Sequence, residues 1–347
     1  MISNYSEFAF NIVNNLLHVQ KDNVISISAE IHNRPAAEDP LVEIPLLEEI
    51  AVAIRKKKAF PVLEISTENL KKRFFTEMPE DVFSAPPTYY QCWIDSIDTF
   101  IEVGWESLDS DYKETADQQI NTFKKTTRKL INQLFQKKKK LVFLNYPTRE
   151  LAGFIQADFE ELKSTYLKAA NCNYSYLRTC GSDLRENFYP FRTFKIKSKN
   201  EELEFRVIKD RIELFDGDSA KNQVIVIPTG IMEIPINRSS LNGIFLADKV
   251  YYCDKTYDNV KIKFENGTIR YVAFSTDVKG NFYLQSELMN SIEECYLTIG
   301  FNREIRHFTN FFSYDRCIDG NVSLKFFDRN NKHIFMSSML AEIDRKP

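Results

Sequence analysis

The chain has 347 residues, of which 43% are hydrophobic, 13% aromatic and 27% charged, enough apolar side chain for one large or two ordinary domains and outside the disordered and fibrous classes. Its 46 lysines and arginines nearly balance 49 aspartates and glutamates, so no global field recruits nucleic acid or an acidic membrane surface. No basic segment leads into a long apolar stretch at the start, and nowhere do about 18 apolar residues run together; the expectation is a soluble, cytoplasmic protein with no membrane or nucleic-acid partner.

In chain order, residues 5–19 place Phe8, Ile12, Val13, Leu16 and Leu17 at helical spacing, followed by the strand VISISAE. PLLEEIAVAIRKKKA then predicts an amphipathic helix and PVLEIS a strand. QINTFKKTTRKLINQLFQKKKK predicts a further helix whose closing run, Lys137 to Lys140, complements the carbonyl end of the helix dipole. No aromatic interleaving accompanies that run, so it reads as a solvated helix end rather than a nucleic-acid patch. LVFLNYPT is a third buried strand, and the alternation argues for a wound, mainly parallel α/β sheet.

Of ten glycines, only Gly104 and Gly153 precede residue 180, and from about residue 190 the grammar becomes antiparallel. FRTFKIKS, ELEFRVIK, RIELFDG, QVIVIPTG and GIFLADKVYY alternate, and VKIKFENGTIRYVAF joins two alternating runs through Asn266-Gly267, the pair a type I′ hairpin turn favours. The expected organisation is an α/β domain over 1–188 and an antiparallel β-rich domain over 189–347, that is, α/β plus α+β.

Pro228-Thr229-Gly230, a later proline, an apolar-x-Gly-apolar strand and FENGTI stand in an order that resembles the thermophilic-type leucyl aminopeptidase family, aminopeptidase T and its relatives. PLLEEIAVAIRKKKAFPVLEI and LVFLNYPTRELA are similar to that family's earlier segments. The resemblance implies an N-terminal α/β domain, a C-terminal antiparallel domain, a homodimer, and removal of N-terminal residues from peptides by two metal ions. Such a centre needs carboxylates and imidazoles to hold zinc, cobalt or manganese around a shared water.

Compared with the family's ligand places, this chain departs. Ile231 follows Gly230 where the family has glutamate, with Glu233 two residues on, where strand periodicity puts it on the same face. After the segment SIEECYL, taken as an acidic helix, Gly300 is followed by Phe301 instead of a carboxylate, although Gly300-Phe301-Asn302 is similar to a Gly-x-Asn stretch of ring-cleaving dihydroxypyridine dioxygenases. In Asp315-Arg316-Cys317-Ile318-Asp319-Gly320-Asn321-Val322-Ser323, arginine replaces a glutamate and Ser323 a ligand histidine. In His333-Ile334-Phe335 the histidine stays and Phe335 replaces an aspartate. One imidazole cannot hold two metals, since affinity comes from deprotonated ligands at fixed geometry.

The expectation is therefore a catalytically degenerate aminopeptidase-like protein with no metal cofactor, binding a peptide in a cleft formed by Ile231, Glu233, Phe301, Ser323, His333 and Phe335. The alternative is an active, diverged metalloenzyme, either an aminopeptidase or a dioxygenase with a single zinc, cobalt, manganese or iron at His307, His333 and Asp315, with Glu293 or Glu294 in reach. A purely structural subunit is a third reading. Only four histidines exist, with His18 and His32 completing the set, and the six cysteines, Cys92, Cys172, Cys180, Cys253, Cys295 and Cys317, show no CxxC spacing and read as reduced core residues. No P-loop, GxGxxG or GxSxG occurs, and a Cys–His pairing stays open. The 28 phenylalanines and 16 tyrosines suit a core, a dimer interface or an apolar cleft alike.

Overall fold

The computed structural model describes residues 2–31, 44–84, 88–104, 117–252, 255–274, 294–327, 333–339 and 341–346. His32, Cys253 and residues 291–293 of the expected acidic helix, Glu293 among them, lie outside these. By compactness the chain divides into Met1–Asn171 with Gly217–Pro228, and Cys172–Asp216 with Thr229–Pro347. This division differs from a single break at residue 188, because the chain passes between the units three times.

In the first unit, helix α1 (Ile2–Phe10) runs into a π-helical stretch, Asn11–Leu16, and β1 (Val24–Ile31) follows. Next come α2 (Ile44–Lys56), β2 (Phe60–Thr67), α3 (Glu68–Glu77), α4 (Thr88–Ser96), β3 (Thr99–Val103), α5 (Asp117–Gln136) and β4 (Lys140–Leu144). The strands form a parallel sheet in the order β2-β1-β3-β4-β8, its last member being β8 (Val224–Ile227). Parallel strands buried on both faces read as continuous apolar runs. Here Val24, Phe100, Phe143 and Val224 pack against Trp93, Ile94, Ile97 and Leu134 of the α4 and α5 region, while Ile25, Ile27, Val142 and Ile227, of opposite parity, are also buried.

Two expectations change here. VIVI belongs to the parallel sheet and not to the antiparallel half, since a four-residue apolar run carries no alternation that distinguishes the two settings. The lysine run is only partly a helix end: α5 stops at Gln136, Lys137 pairs with Asp95, and Lys140 already opens β4.

The first unit also holds α6 (Arg149–Phe154) and α7 (Phe159–Ala170), and the second unit begins with α8 (Tyr174–Phe188). Then follow β5 (Thr193–Ser198), β6 (Glu201–Val207), β7 (Glu213–Phe215), β9 (Ile231–Tyr252), β10 (Lys255–Glu265), β11 (Thr268–Phe274), β12 (Glu294–Gly300), β13 (Val322–Phe327), β14 (His333–Ser338) and β15 (Glu342–Lys346). They form a ten-stranded antiparallel sheet. The fold class is thus an α/β unit plus an antiparallel β-rich unit. Asn266 and Gly267 have φ of 49° and 74°, the left-handed pair that a type I′ turn requires, between the partners Glu265 and Thr268. The expected helix over SIEECYL is a strand from Glu294 onward: Cys295, Leu297 and Ile299 alternate into the core, and partners on both sides, β9 and β13, satisfy its backbone.

Strand β9 is long enough to pair with β12 through Ile231 to Pro235 and with β14 through Lys249 to Tyr252. With β12–β13 and β13–β14 pairing, these four strands close on themselves. One face is apolar, carrying Met232, Ile234, Leu297, Ile299, Val322, Leu324, Phe326, Ile334 and Met336, all buried. The opposite face carries the candidate site.

Candidate functional site

Three of the motif stretches singled out in the sequence meet in the antiparallel unit. Phe301 N–H donates to the Gly230 carbonyl (2.8 Å) and Asn302 Nδ2 to the Thr229 carbonyl (2.9 Å). Asn302 N–H donates to the Cys317 carbonyl (2.9 Å), Gly300 N–H to Asn321, and Gly320 N–H to Gly300. A Cβ on Gly300 would stand 2.2 Å from the Ile318 carbonyl oxygen, so the crossing of these segments needs glycine.

On the face described above, register forms two rungs. Glu233, Thr298, Ser323, Ser337 and Lys249 are successive cross-strand partners, and so are Pro235, Tyr296, Lys325, Phe335 and Tyr251. Residues 301–321 supply side chains that lie against this face: Phe312 stacks on Phe335 at 4.7 Å between ring centroids, and Asp315 accepts a hydrogen bond from the Tyr251 hydroxyl (2.5 Å).

Glu233 is buried, and Lys325 Nζ donates to both its carboxylate oxygens at 3.1 Å. A second cation, Arg316, stands 3.9 Å away. The Lys325 ammonium also lies 5.1, 5.6 and 5.8 Å from the ring centroids of Phe327, Tyr296 and Phe335, within cation–π range. Taking a carboxylate out of water is tolerable only with such compensation. A lysine side chain therefore supplies, from within the fold, the positive charge that this buried carboxylate requires.

Asp315 is fully buried and accepts from Tyr251, from Thr309 N–H (2.7 Å) and from the Thr309 hydroxyl (2.8 Å). Burial pushes its carboxyl up to about 6, against the opposing pull of those hydrogen bonds and of Lys249. Burial, the Asp315 charge and its hydrogen bond push the Tyr251 phenol well up. Ser323 shares a hydrogen bond with Ser337 (2.8 Å) and receives one from Asn321 Nδ2 (3.2 Å). Thr298 Oγ1 and Asn321 Oδ1 are buried without a partner among the described residues.

Of the expected cleft residues, Ile231, Glu233, Phe301, Ser323 and Phe335 are all buried. Ile231 pairs with Gly300 and Phe215 in the sheet, and Phe301 packs its ring against Gly181. His333 opens β14, and its side chain lies outside the described residues. His307 is exposed while Asp315 is enclosed, and Glu294, also exposed, accepts from the Tyr296 hydroxyl. Among the described residues no three His, Cys, Asp or Glu side chains cluster as metal ligands. The donor set does not fit a dinuclear centre: Ile231, Phe301 and Phe335 are hydrocarbon, Ser323 is a neutral hydroxyl, Glu233 holds an ammonium, and Asp315 is already bonded from three sides. Nucleophilic cysteine chemistry fares no better at Cys172, half-buried, or at the buried Cys295 and Cys317, since desolvation pushes Cys172 and Cys317 up to about 12 and Cys295 well up.

Sequence reasoning missed Lys325, Tyr251 and Thr309. A signal existed for Lys325, a charge in the middle of the apolar strand VSLKFF, which calls for a partner wherever such a strand is covered on both faces. Nothing local marks Tyr251 or Thr309, whose roles depend on contacts made through the fold.

Compared by sequence, the chain matches no family profile and no curated protein. Compared by structure, it is similar to wild-type AmpT, aminopeptidase T, from Thermus thermophilus, with a TM-score of 0.67 and 11% identity over 99% of this chain and 95% of that one. It is also similar to 2,5-dihydroxypyridine dioxygenase from Pseudomonas putida, with a TM-score of 0.59 and 11% identity over 99% of this chain and 94% of that one. At that identity the likeness establishes a distantly shared fold, and no helix among the described residues is long and apolar enough to cross a membrane.

Proposed function

We propose that this protein is a catalytically degenerate, aminopeptidase-like binding protein that recognises a peptide without hydrolysing it. The observation that carries the reading is the Lys325 ammonium held by both oxygens of Glu233, on the face where the motif stretches converge. A two-metal hydrolase needs free carboxylates and imidazoles to lower the pKa of a shared water. Here the Glu233 carboxylate, beside the lost ligand places, is neutralised by the chain itself. Peptide recognition rests on fold-level analogy to AmpT, and since Glu233 and Ser323 are engaged internally, a bound peptide contacts exposed groups of the antiparallel unit instead of these two. The accompanying homodimer is supported by the exposed Phe60, Val62, Leu63 and Ile65 on the edge strand β2; light scattering that returns the monomer mass at micromolar concentration contradicts it.

Metal analysis after desalting, together with an aminopeptidase assay in excess zinc or cobalt, tests the central claim. Expected are well below one equivalent of transition metal per chain and no turnover. Two tightly bound equivalents with turnover overturn the reading. One equivalent, lost when His307→Ala and His333→Ala are combined, favours a single-metal enzyme. For recognition, a calorimetric screen of short apolar-rich peptides should find roughly micromolar binders, about 8 kcal/mol; none below about millimolar moves the structural-subunit reading ahead.

A further inference from the structure

A cavity of about 640 Å³ opens in the antiparallel unit among Tyr189, Arg192, Arg206, Lys209, Asp210 and Asn237, with Ile208 at its side. It shares no residue with the Glu233–Lys325 centre. Its position follows from the β5–β6 ribbon, where Thr193 is the cross-strand partner of Arg206 and Val207 N–H donates to the Arg192 carbonyl. The pairing brings two guanidinium groups to one end of the ribbon, and the short turn Lys209–Arg211 adds an ammonium.

The two ends of that ribbon are treated differently. Toward the hairpin three lysines have carboxylates: Lys195 pairs with Glu202, Lys197 with Asp344, and Lys261 of β10 with Glu201. At the cavity end, Arg192, Arg206 and Lys209 make no ion pair among the described residues, although Asp210 lines the same space. Cations gathered in a concavity repel one another unless an anion is shared between them. A guanidinium fork matches carboxylate or phosphate oxygens in bidentate geometry. Tyr189 and Ile208 are 59% and 42% exposed, and Lys209 Nζ stands 5.5 Å from the Tyr189 ring centroid, so an apolar wall adjoins the cationic floor.

We infer that this cavity is a binding site for a small organic anion carrying at least two carboxylate or phosphate groups, held by Arg192, Arg206 and Lys209 with its apolar part against Tyr189 and Ile208. The volume lies in the roughly 300–1,000 Å³ range of small-molecule sites, and the formal net charge of −3 disfavours a long polyanion such as nucleic acid. Asn237 and Asp210 offer polar groups to a hydroxyl or amine of the same ligand. This inference is independent of the peptide reading above.

Isothermal titration of the full chain with pyrophosphate in one arm and citrate in the other, at low ionic strength, tests it. Binding is expected in at least one arm, and whichever anion is tighter assigns phosphate or carboxylate as the ligand chemistry. Arg192→Ala with Arg206→Ala should weaken that binding by about tenfold or more, which corresponds to about 1.4 kcal/mol. Lys195→Ala with Lys197→Ala, at the opposite end of the ribbon, should leave it unchanged. All four side chains are at least partly exposed, so an unaltered unfolding midpoint for both double variants separates lost binding from lost folding. The inference is overturned if neither anion binds below about millimolar, if the two double variants weaken binding equally, or if only long acidic peptides bind.

Discussion

The two faces of the strands β9, β12, β13 and β14 share one backbone and differ in what stabilises them. The apolar face gains from every buried methylene, about 25 cal/mol per Å², and its members Leu297, Leu324, Ile334 and Met336 need only fit. The polar face gains little from burial and must satisfy Glu233, Asp315, Ser323, Lys325 and Ser337 one by one. An ordinary fold has no need of the second arrangement. Its position beneath the motif stretches is the observation on which the proposed function rests.

Substitutions that break one face and spare the other sharpen the contrast. Lys325→Met leaves the Glu233 carboxylate buried with only the more distant Arg316, and should cost about 3–5 kcal/mol in denaturant unfolding. Adding Glu233→Gln should recover most of that loss, because the uncompensated charge goes with it. If the double variant is as unstable as the single one, the ammonium is not acting as a counter-charge. On the apolar face, Leu324→Ala should cost about 2–5 kcal/mol, and no second substitution at Glu233 should restore it.

Asp315 gives a smaller, pH-dependent effect. Its folded carboxyl is raised to about 6 from 3.8, so the folded state holds the proton more tightly than the unfolded state does. The stability it contributes is fully present below about pH 4 and is lost as pH rises through about 6, on the order of 2–3 kcal/mol. Unfolding free energies measured from pH 4 to pH 7 should carry this downward component in the wild type and lack it in Asp315→Asn. An identical pH dependence in both proteins would falsify the assignment.

Thr298→Val reverses the usual sign. The hydroxyl is buried with no partner, so a methyl in its place should stabilise the protein by about 1 kcal/mol; a loss of stability would mean that the hydroxyl is satisfied. The smallest change is expected for Lys197→Ala, whose ion pair with Asp344 is half in solvent and is worth about 0–1 kcal/mol.

Much of the architecture was legible because local pattern and tertiary setting agree. Helical spacing at Phe8, Ile12 and Leu16, alternation in FRTFKIKS, and Asn266-Gly267 each correspond to the element found. Where they disagree the local pattern is too short to decide: VIVI joined the parallel sheet, and the segment from Glu294 became a strand once partners on both sides were available. The motif series correctly marked segments that converge, since glycines and Asn302 fix the backbone crossings.

The sequence by itself determined that the chain has two kinds of domain and that its charges are balanced. Only the tertiary structure decided which of its polar side chains meet. Lys325 and Glu233 are 92 residues apart in the chain, Tyr251 and Asp315 are 64 apart, and strand pairing sets Arg206 opposite Thr193, next to Arg192. Such partnerships depend on register across closed strands, and register is fixed by the whole sheet rather than by any one segment.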